Sequence, residues 1–290
     1  MSRSRFLEGV AALAPHFDGF LLDQWGVLHD GERALPGARE ALERLVALGR
    51  PIVLLSNSGR RAAANRRRLA AMGLEPERMA DIVTSGEAAW RFLKERPGPP
   101  WSELGRHCLL LTIEGDLGPV EGLDLVLVET VKAADFLFVS ALDGRPAEAY
   151  RPLAEEARAR DLPMVCSNPD RHAPTPAGLQ DTPGALAAIY ASLGGRVLYV
   201  GKPYAPIYAI CLRALGGLPR RAILAVGDSL EHDIAGARAQ GLATCLVAAG
   251  IHAGELPVEG SPEALAEAVA ALAARHGVAP PDFVLRRFSW

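Results

Sequence analysis

The 290-residue chain reads as an α/β protein: a Rossmann-like, doubly wound parallel sheet with a second α/β domain inserted into it. Three observations carry that reading. Short apolar runs alternate with Ala-, Leu-, Glu- and Arg-rich stretches of helical period, the pattern of strand and crossover helix repeated. The chemically suggestive residues stand at the ends of the apolar runs, where strands of a parallel sheet meet their ligands. A proline-punctuated break, ERPGPP at Glu95–Pro100, precedes a second set of strands with helices of its own and is a candidate boundary.

The elements follow in order. The first apolar run, Phe20–Leu22, ends on Asp23. Pro36 and Gly37 open a helix through ALERLVALG, where Leu42, Leu45, Val46 and Gly49 keep helical spacing, and a second run, Pro51–Leu55, ends on Ser56. NRRRLAAMG reads as a further helix, with Arg66, Arg67 and Arg68 on a solvated face and outside any site. Ser85 and Gly86 suit the cap of a helix carrying Trp90 and Phe92. From Cys108 the second pattern runs through CLLLTI, LDLVLVET, DFLFVSAL, a helical EAYRPLAEEARARDL, and PMVCSNPD. The helix GALAAIYASLGG is expected to return the chain to the first domain, where RVLYVGKP and AILAVGDS read as strands. The expected domains are therefore residues 1–85 with 196–290, and an insertion of residues 86–195. The tail APPDFVLRRFSW is apolar enough to dock on a partner or on its own domain, and the second is put first because exposed Phe and Trp are a liability on a monomer.

Composition narrows the function. Charged residues make up 22% of the chain, the formal net charge is −3, and acids and bases are interspersed. That is not the footprint of a nucleic-acid or membrane-surface protein. Cys108, Cys166, Cys211 and Cys245 are far apart, with no CxxC pair and no histidine at ligand spacing, which suits reduced thiols in a cytoplasmic setting. Glu8, Pro15, His16 and Asp18 break the start before a long apolar segment develops, and no later run reaches spanning length, so neither a signal peptide nor a membrane span is expected. His107, His232 and His252 have no partner at ligand spacing and read as surface or packing residues.

Four strand ends stand out: Asp23, Ser56, Lys202, and the pair Asp228 and Asp233 in VGDSLEHDIAG. Their types make a consistent phosphate site, with a carboxylate to attack, a hydroxyl and a cation to hold phosphoryl oxygens, and further carboxylate for a metal. In this order, LLDQWGVL, LLSNSGR, GKP and GDSLEHD resemble the four motifs of the haloacid dehalogenase superfamily of aspartate-nucleophile hydrolases. SNS, TSGEAAWRFL, SNPDRH, YVGKP and GDSLEHDIAGARAQGL are closer still to class IIA, the sugar, nucleotide, pyridoxal and nitrophenyl phosphatases. The resemblance covers nearly the whole chain.

The resemblance implies the haloacid dehalogenase fold, with the insertion as a C2-type cap that carries specificity, and a Mg2+-dependent phosphatase of a small phosphorylated metabolite. Asp23 would attack phosphorus and form an aspartyl phosphate; Ser56 and Asn57 would donate to the transferring group, and Lys202 would neutralise charge. Mg2+ would be held by Asp23, the Trp25 main-chain carbonyl and Asp228, with Asp233 behind them or acting through water. Ser58 and Arg60 go with phosphate or substrate binding, Arg60 and Arg61 each offering a fork of donors. In the cap, the polar segment Ser167–Gly178 puts forward Asn168, Asp170, Arg171 and His172 as substrate contacts. Caps of this class often make dimer contacts, which leaves a homodimer open.

One position departs from the pattern. Phosphatases of this superfamily usually carry a second aspartate two residues after the nucleophile, which protonates the leaving alkoxide and later deprotonates water. Here that residue is Trp25, whose indole N–H is a donor only. General acid–base help is typically worth about 10²- to 10⁴-fold, so its loss falls hardest on esters with poor leaving groups. Three readings follow. His29 or Asp30 replaces the acid; or the substrate needs none, as with an acyl phosphate, an aryl phosphate or a carbon–halogen bond; or the protein binds a phosphometabolite with little turnover. The true haloacid dehalogenases also place a non-acidic aromatic residue here, but Asp228 and Asp233 favour a metal-binding phosphatase. Trp25 itself either packs beside Val27 and Leu28 or faces the substrate, stacking on a planar or sugar-like group and excluding water.

Overall fold

The computed structural model describes residues 4–113, 115–175 and 178–290. The chain forms two compact units, one of Met1–Ser56, Asn65–Val83 and Tyr208–Trp290, the other of Asn57–Ala64 and Thr84–Ile207.

The first unit carries a seven-stranded sheet in the order Arg5–Leu7, Phe283–Leu285, Ala243–Val247, Ile223–Gly227, Gly19–Asp23, Ile52–Ser56, Asp81–Thr84. The pairings from Arg5–Leu7 across to Ile52–Ser56 are all parallel. Gly19–Asp23 and Ile223–Gly227 are buried along their whole length, as unbroken apolar runs in a parallel sheet covered on both faces must be. From Gly19–Asp23 the chain steps outward to Ile52–Ser56 on one side; on the other it returns through Ile223–Gly227. The junction of those two strands is the point where the winding reverses, and open α/β sheets bind ligands beyond the carboxyl ends of the strands there.

Helix Ala38–Ala47 buries Ala38, Ala41, Leu42 and Leu45, and helix Pro262–Arg275 buries Leu265, Val269 and Leu272. The tail docks on its own unit, as expected: Phe283–Leu285 lies inside the sheet and Phe288 is buried. Arg5–Leu7, which no sequence pattern singles out, forms the edge strand beside it.

The second unit carries a five-stranded parallel sheet in the order Val197–Tyr199, Met164–Cys166, Phe136–Val139, His107–Leu111, Val126–Leu127. Four expectations change here. Val197–Tyr199 pairs with Met164–Cys166 instead of joining the first sheet. LDLVLVET contributes only the exposed pair Val126–Leu127, which has no core face to extend it. The Ser167–Gly178 segment, expected as a loop, contributes to an antiparallel ribbon of His172–Thr175 with Gly178–Asp181; residues 176 and 177 lie outside the described residues. Glu95–Pro100 lies inside the second unit and is not its boundary.

Helix Ser85–Glu95 is capped by Thr84 rather than by Ser85 or Gly86: Thr84 Oγ1 accepts the Glu87 N–H at 3.0 Å and donates to the Arg60 carbonyl at 2.6 Å. No helix among the described residues is long and apolar enough to cross a membrane, and the four cysteines are buried thiols. Thr84→Ala removes both hydrogen bonds, and urea unfolding should show a loss of about 0.5–2 kcal/mol, with Thr84→Ser recovering most of it. Equal midpoints for Thr84→Ala and the parent chain would show the cap to be idle.

Candidate active site

Three carboxylates converge in the first unit. Asp23 closes the strand Gly19–Asp23, Asp228 follows Ile223–Gly227, and Asp233 sits in a single π-turn, Leu230–Ile234. The two strands run side by side with Val226 opposite Leu22, so their ends meet. One oxygen from each carboxylate lies within 4.8 Å of the others, and the three residues are only 7%, 4% and 6% exposed. Backbone donors aim two of them: Ile251 N–H donates to Asp228 Oδ2 at 2.7 Å, and Ser229 N–H donates to Asp233 Oδ2 at 3.0 Å.

Glycine makes the room. A Cβ on Gly26, whose φ is +78°, would lie 2.0 Å from Asp228 Oδ2, and one on Gly227 would lie 2.1 Å from Asp233 Cγ. Three like charges in so small and dry a space repel one another. An all-oxygen, all-anionic donor set of this kind fits a hard divalent cation, which neutralises that repulsion.

The loop after Asp23 is tied to itself. The Gln24 carbonyl accepts the N–H groups of Leu28 and His29 at 2.7 and 3.1 Å, and the Gln24 amide is buried without a hydrogen-bond partner among the described residues. Trp25 is 41% exposed while Val27 and Leu28 are fully buried, so the indole is not core packing. It lies over its own loop: a Cβ on Gly31 would sit 3.4 Å from Trp25 Nε1 and 3.3 Å from an Arg68 guanidinium nitrogen.

His29 accepts the Gly31 N–H on Nδ1 at 3.0 Å. Burial first, and then the Arg68 guanidinium, pull its pKa from 6.5 down to about 4. It is neutral at pH 7, its basic nitrogen is in use, and it holds no acidic proton to give. Asp30 accepts the N–H groups of Glu32 and Arg33, each at 2.9 Å, and these backbone bonds keep its exposed carboxyl below its usual range. Both expected replacement acids are therefore braces of the loop at neutral pH. Arg68, set aside as a solvated helix residue, donates to the Gly31 carbonyl and is the residue that sequence reasoning missed; nothing in NRRRLAAMG distinguishes it until the loop it reaches is known.

Ser56 ends the strand Ile52–Ser56, half-buried. In the second unit, Asn57, Asp170 and Lys202 are joined. Asn57 Nδ2 donates to Asp170 Oδ1 at 2.7 Å and to the Lys202 carbonyl at 3.1 Å; Asn57 Oδ1 accepts the Lys202 N–H at 2.7 Å and the Ser85 hydroxyl at 3.3 Å. Both amide hydrogens are thus committed, which corrects the expectation that Asn57 donates to a transferring phosphoryl group. It grips both main-chain polar groups of Lys202, a residue only 4% exposed.

Asn168 Oδ1 accepts the Asp170 N–H at 3.0 Å, and His172 pairs across its ribbon with Asp181 at 3.0 Å. The Ser58 hydroxyl accepts the Arg60 N–H at 3.3 Å, and Arg60 is exposed. Arg61 is bound to Glu87 at 2.7 Å and lies over the Trp90 ring at 3.9 Å. Arg171 is exposed beside His172.

Residues 20–125 and 101–241 each match the haloacid dehalogenase-like hydrolases, and residues 199–284 match a further HAD-hydrolase-like family. Chronophin of Homo sapiens is 31% identical over 265 residues, spanning 87% of this chain and 88% of chronophin. Sugar-phosphatase AraL of Bacillus subtilis (strain 168) is 31% identical over 240 residues, spanning 80% of this chain and 83% of AraL. Among solved structures, a haloacid dehalogenase-like hydrolase from Brucella suis 1330 has a TM-score of 0.79 at 30% identity, with 97% of this chain and 99% of that one covered. The chain belongs to the haloacid dehalogenase-like hydrolases.

The depressed His29 pKa has a consequence for stability. The unfolded chain takes up this proton first as pH falls, so the contribution is full above 6.5 and is lost as pH drops from 6.5 through about 4. Unfolding free energies of the parent and His29→Gln should therefore diverge across that window by up to about 1.4 kcal/mol per pH unit. Parallel curves would contradict the assignment.

Proposed function

We propose that the chain is a Mg2+-dependent phosphatase of a small phosphorylated metabolite, working through an aspartyl-phosphate on Asp23. The observation that carries this is the buried trio of Asp23, Asp228 and Asp233 at the reversal point of the sheet. The likeness to a protein named as a sugar-phosphatase supports it. The trio, with the Trp25 carbonyl as the further ligand the resemblance implies, would hold the ion, and the ion supplies positive charge that lets a carboxylate approach a phosphate dianion.

An Asp23 oxygen forms a bond to phosphorus while the ester P–O bond breaks and its electron pair leaves on the metabolite oxygen; water then releases inorganic phosphate from Asp23. The Ser56 hydroxyl donates to the phosphoryl oxygens, and Lys202 keeps the charge-neutralising part that the resemblance implies. Asn57 serves by fixing the Lys202 main chain. Specificity falls to the second unit, with Ser58, Arg60, Asn168, Asp170 and His172 as its candidates. The buried thiols suit a cytoplasmic protein.

The leaving group narrows the substrate. Trp25 occupies the place of the acid, His29 is neutral and Asp30 is ionised on its own turn, so this loop offers the departing oxygen no proton at pH 7. Metabolites whose leaving oxygen is stable as an anion, aryl and acyl phosphates above alkyl ones, are therefore preferred. In a phosphate-release panel with Mg2+, kcat should fall steeply as the leaving-group pKa rises, with alkyl esters about 10²- to 10⁴-fold behind. Asp23→Asn should abolish turnover. A shallow line through all esters would overturn the acid-free reading, full activity in Asp23→Asn would overturn the nucleophile, and metal-independent chloride release from a 2-haloacid would favour a dehalogenase.

A further inference from the structure

A second group of ligating side chains lies in the first unit. His252, Glu255 and His276 bring one nitrogen from each ring and one carboxylate oxygen within 4.8 Å of one another. His276 ends the helix Pro262–Arg275, so its partnership with His252 is invisible in the spacing along the chain. The two rings meet edge to face with centroids 5.4 Å apart; His252 is buried and His276 half-buried.

The surrounding bonds assign the ring nitrogens. His276 Nδ1 is 3.2 Å from Glu231 Oε1, so Nδ1–H donates to that carboxylate and Nε2 carries the lone pair. A carboxylate behind an imidazole is how proteins orient histidine toward a metal and raise its basicity. His252 Nδ1 is 3.3 Å from Glu255 Oε1, while its Nε2 accepts the Leu230 N–H at 3.3 Å. Arg275 takes the other Glu255 oxygen at 3.1 Å, leaving Oε1 on the side of the ring.

We propose that His252, His276 and Glu255 bind a borderline divalent cation, Zn2+ before others, with Glu231 orienting His276. Two imidazoles and one carboxylate are a zinc donor set that leaves a fourth position for water. Imidazole nitrogen favours zinc where the all-oxygen trio of Asp23, Asp228 and Asp233 favours magnesium, so ligand type sorts the two ions between the two sites. Coordination through His252 Nδ1 moves the ring proton to Nε2 and gives up the Leu230 bond, which at 3.3 Å is already at the long end. The inference does not depend on the phosphatase reading.

The test is a Zn2+ titration of the chelator-stripped full chain against a chromophoric zinc chelator, with Mg2+ in large excess to occupy the aspartate trio. About one zinc per chain should be retained, with affinity lowered at least about tenfold in His276→Ala and about 10- to 100-fold in Glu231→Gln. Asp228→Asn should bind zinc like the parent. The Glu231 side chain is exposed, so Glu231→Gln reads binding without a threat to folding. No retention by the parent chain, equal retention by parent, His276→Ala and Glu231→Gln, or loss only in Asp228→Asn would overturn the site.

Discussion

Electrostatic repulsion among Asp23, Asp228 and Asp233 is the constraint around which the first unit is built. Three carboxylates whose oxygens lie within 4.8 Å, all nearly excluded from solvent, oppose one another unless a cation stands among them. The protein holds them there with backbone: the parallel register that sets strand Ile223–Gly227 against Gly19–Asp23, the N–H groups of Ile251 and Ser229, and glycines at 26 and 227 where any side chain would collide with a carboxylate. A cation among them relieves that repulsion, and such concentrations of charge are typical of functional sites.

The loop after Asp23 follows a different logic. Its polar side chains serve its own shape: His29 receives Gly31, Asp30 receives Glu32 and Arg33, and Arg68 holds the Gly31 carbonyl. What remains facing outward is the Trp25 indole, bulky and without a proton to exchange. In the proposed reaction, the pairing of an anionic cluster with a proton-poor loop would direct the chemistry toward leaving groups that need no help. Asn57 adds a parallel case in the second unit, a side chain in a motif position that holds both main-chain polar groups of Lys202 as well as Asp170 and Ser85.

Strands Gly19–Asp23, Ile52–Ser56 and Ile223–Gly227 were readable from the chain because burial on both faces demands continuous apolar runs, and the polar residue that ends each run marks the ligand edge of the sheet. Val197–Tyr199 looks the same whichever sheet it joins because its three residues are all half-buried, and Arg5–Leu7 is too short to show a period. The aspartate trio could be anticipated since its members sit at strand ends or in the turn that follows. Arg68, the partners of Asn57 and the meeting of His252 with His276 could not, because each depends on tertiary proximity: Asn57 reaches residues 113 and 145 positions away. Short-range pattern reports burial; it does not report which distant backbone a side chain will hold.

Magnesium-dependent thermal melting addresses the aspartate trio directly. For the chelator-stripped chain, the midpoint should climb with Mg2+ concentration, reaching about 2.7 kcal/mol of added stability at about 100 times the dissociation constant, while Asp228→Asn stays flat. A parent chain indifferent to Mg2+, or an Asp228→Asn chain that climbs equally, would show that these three carboxylates do not hold the ion.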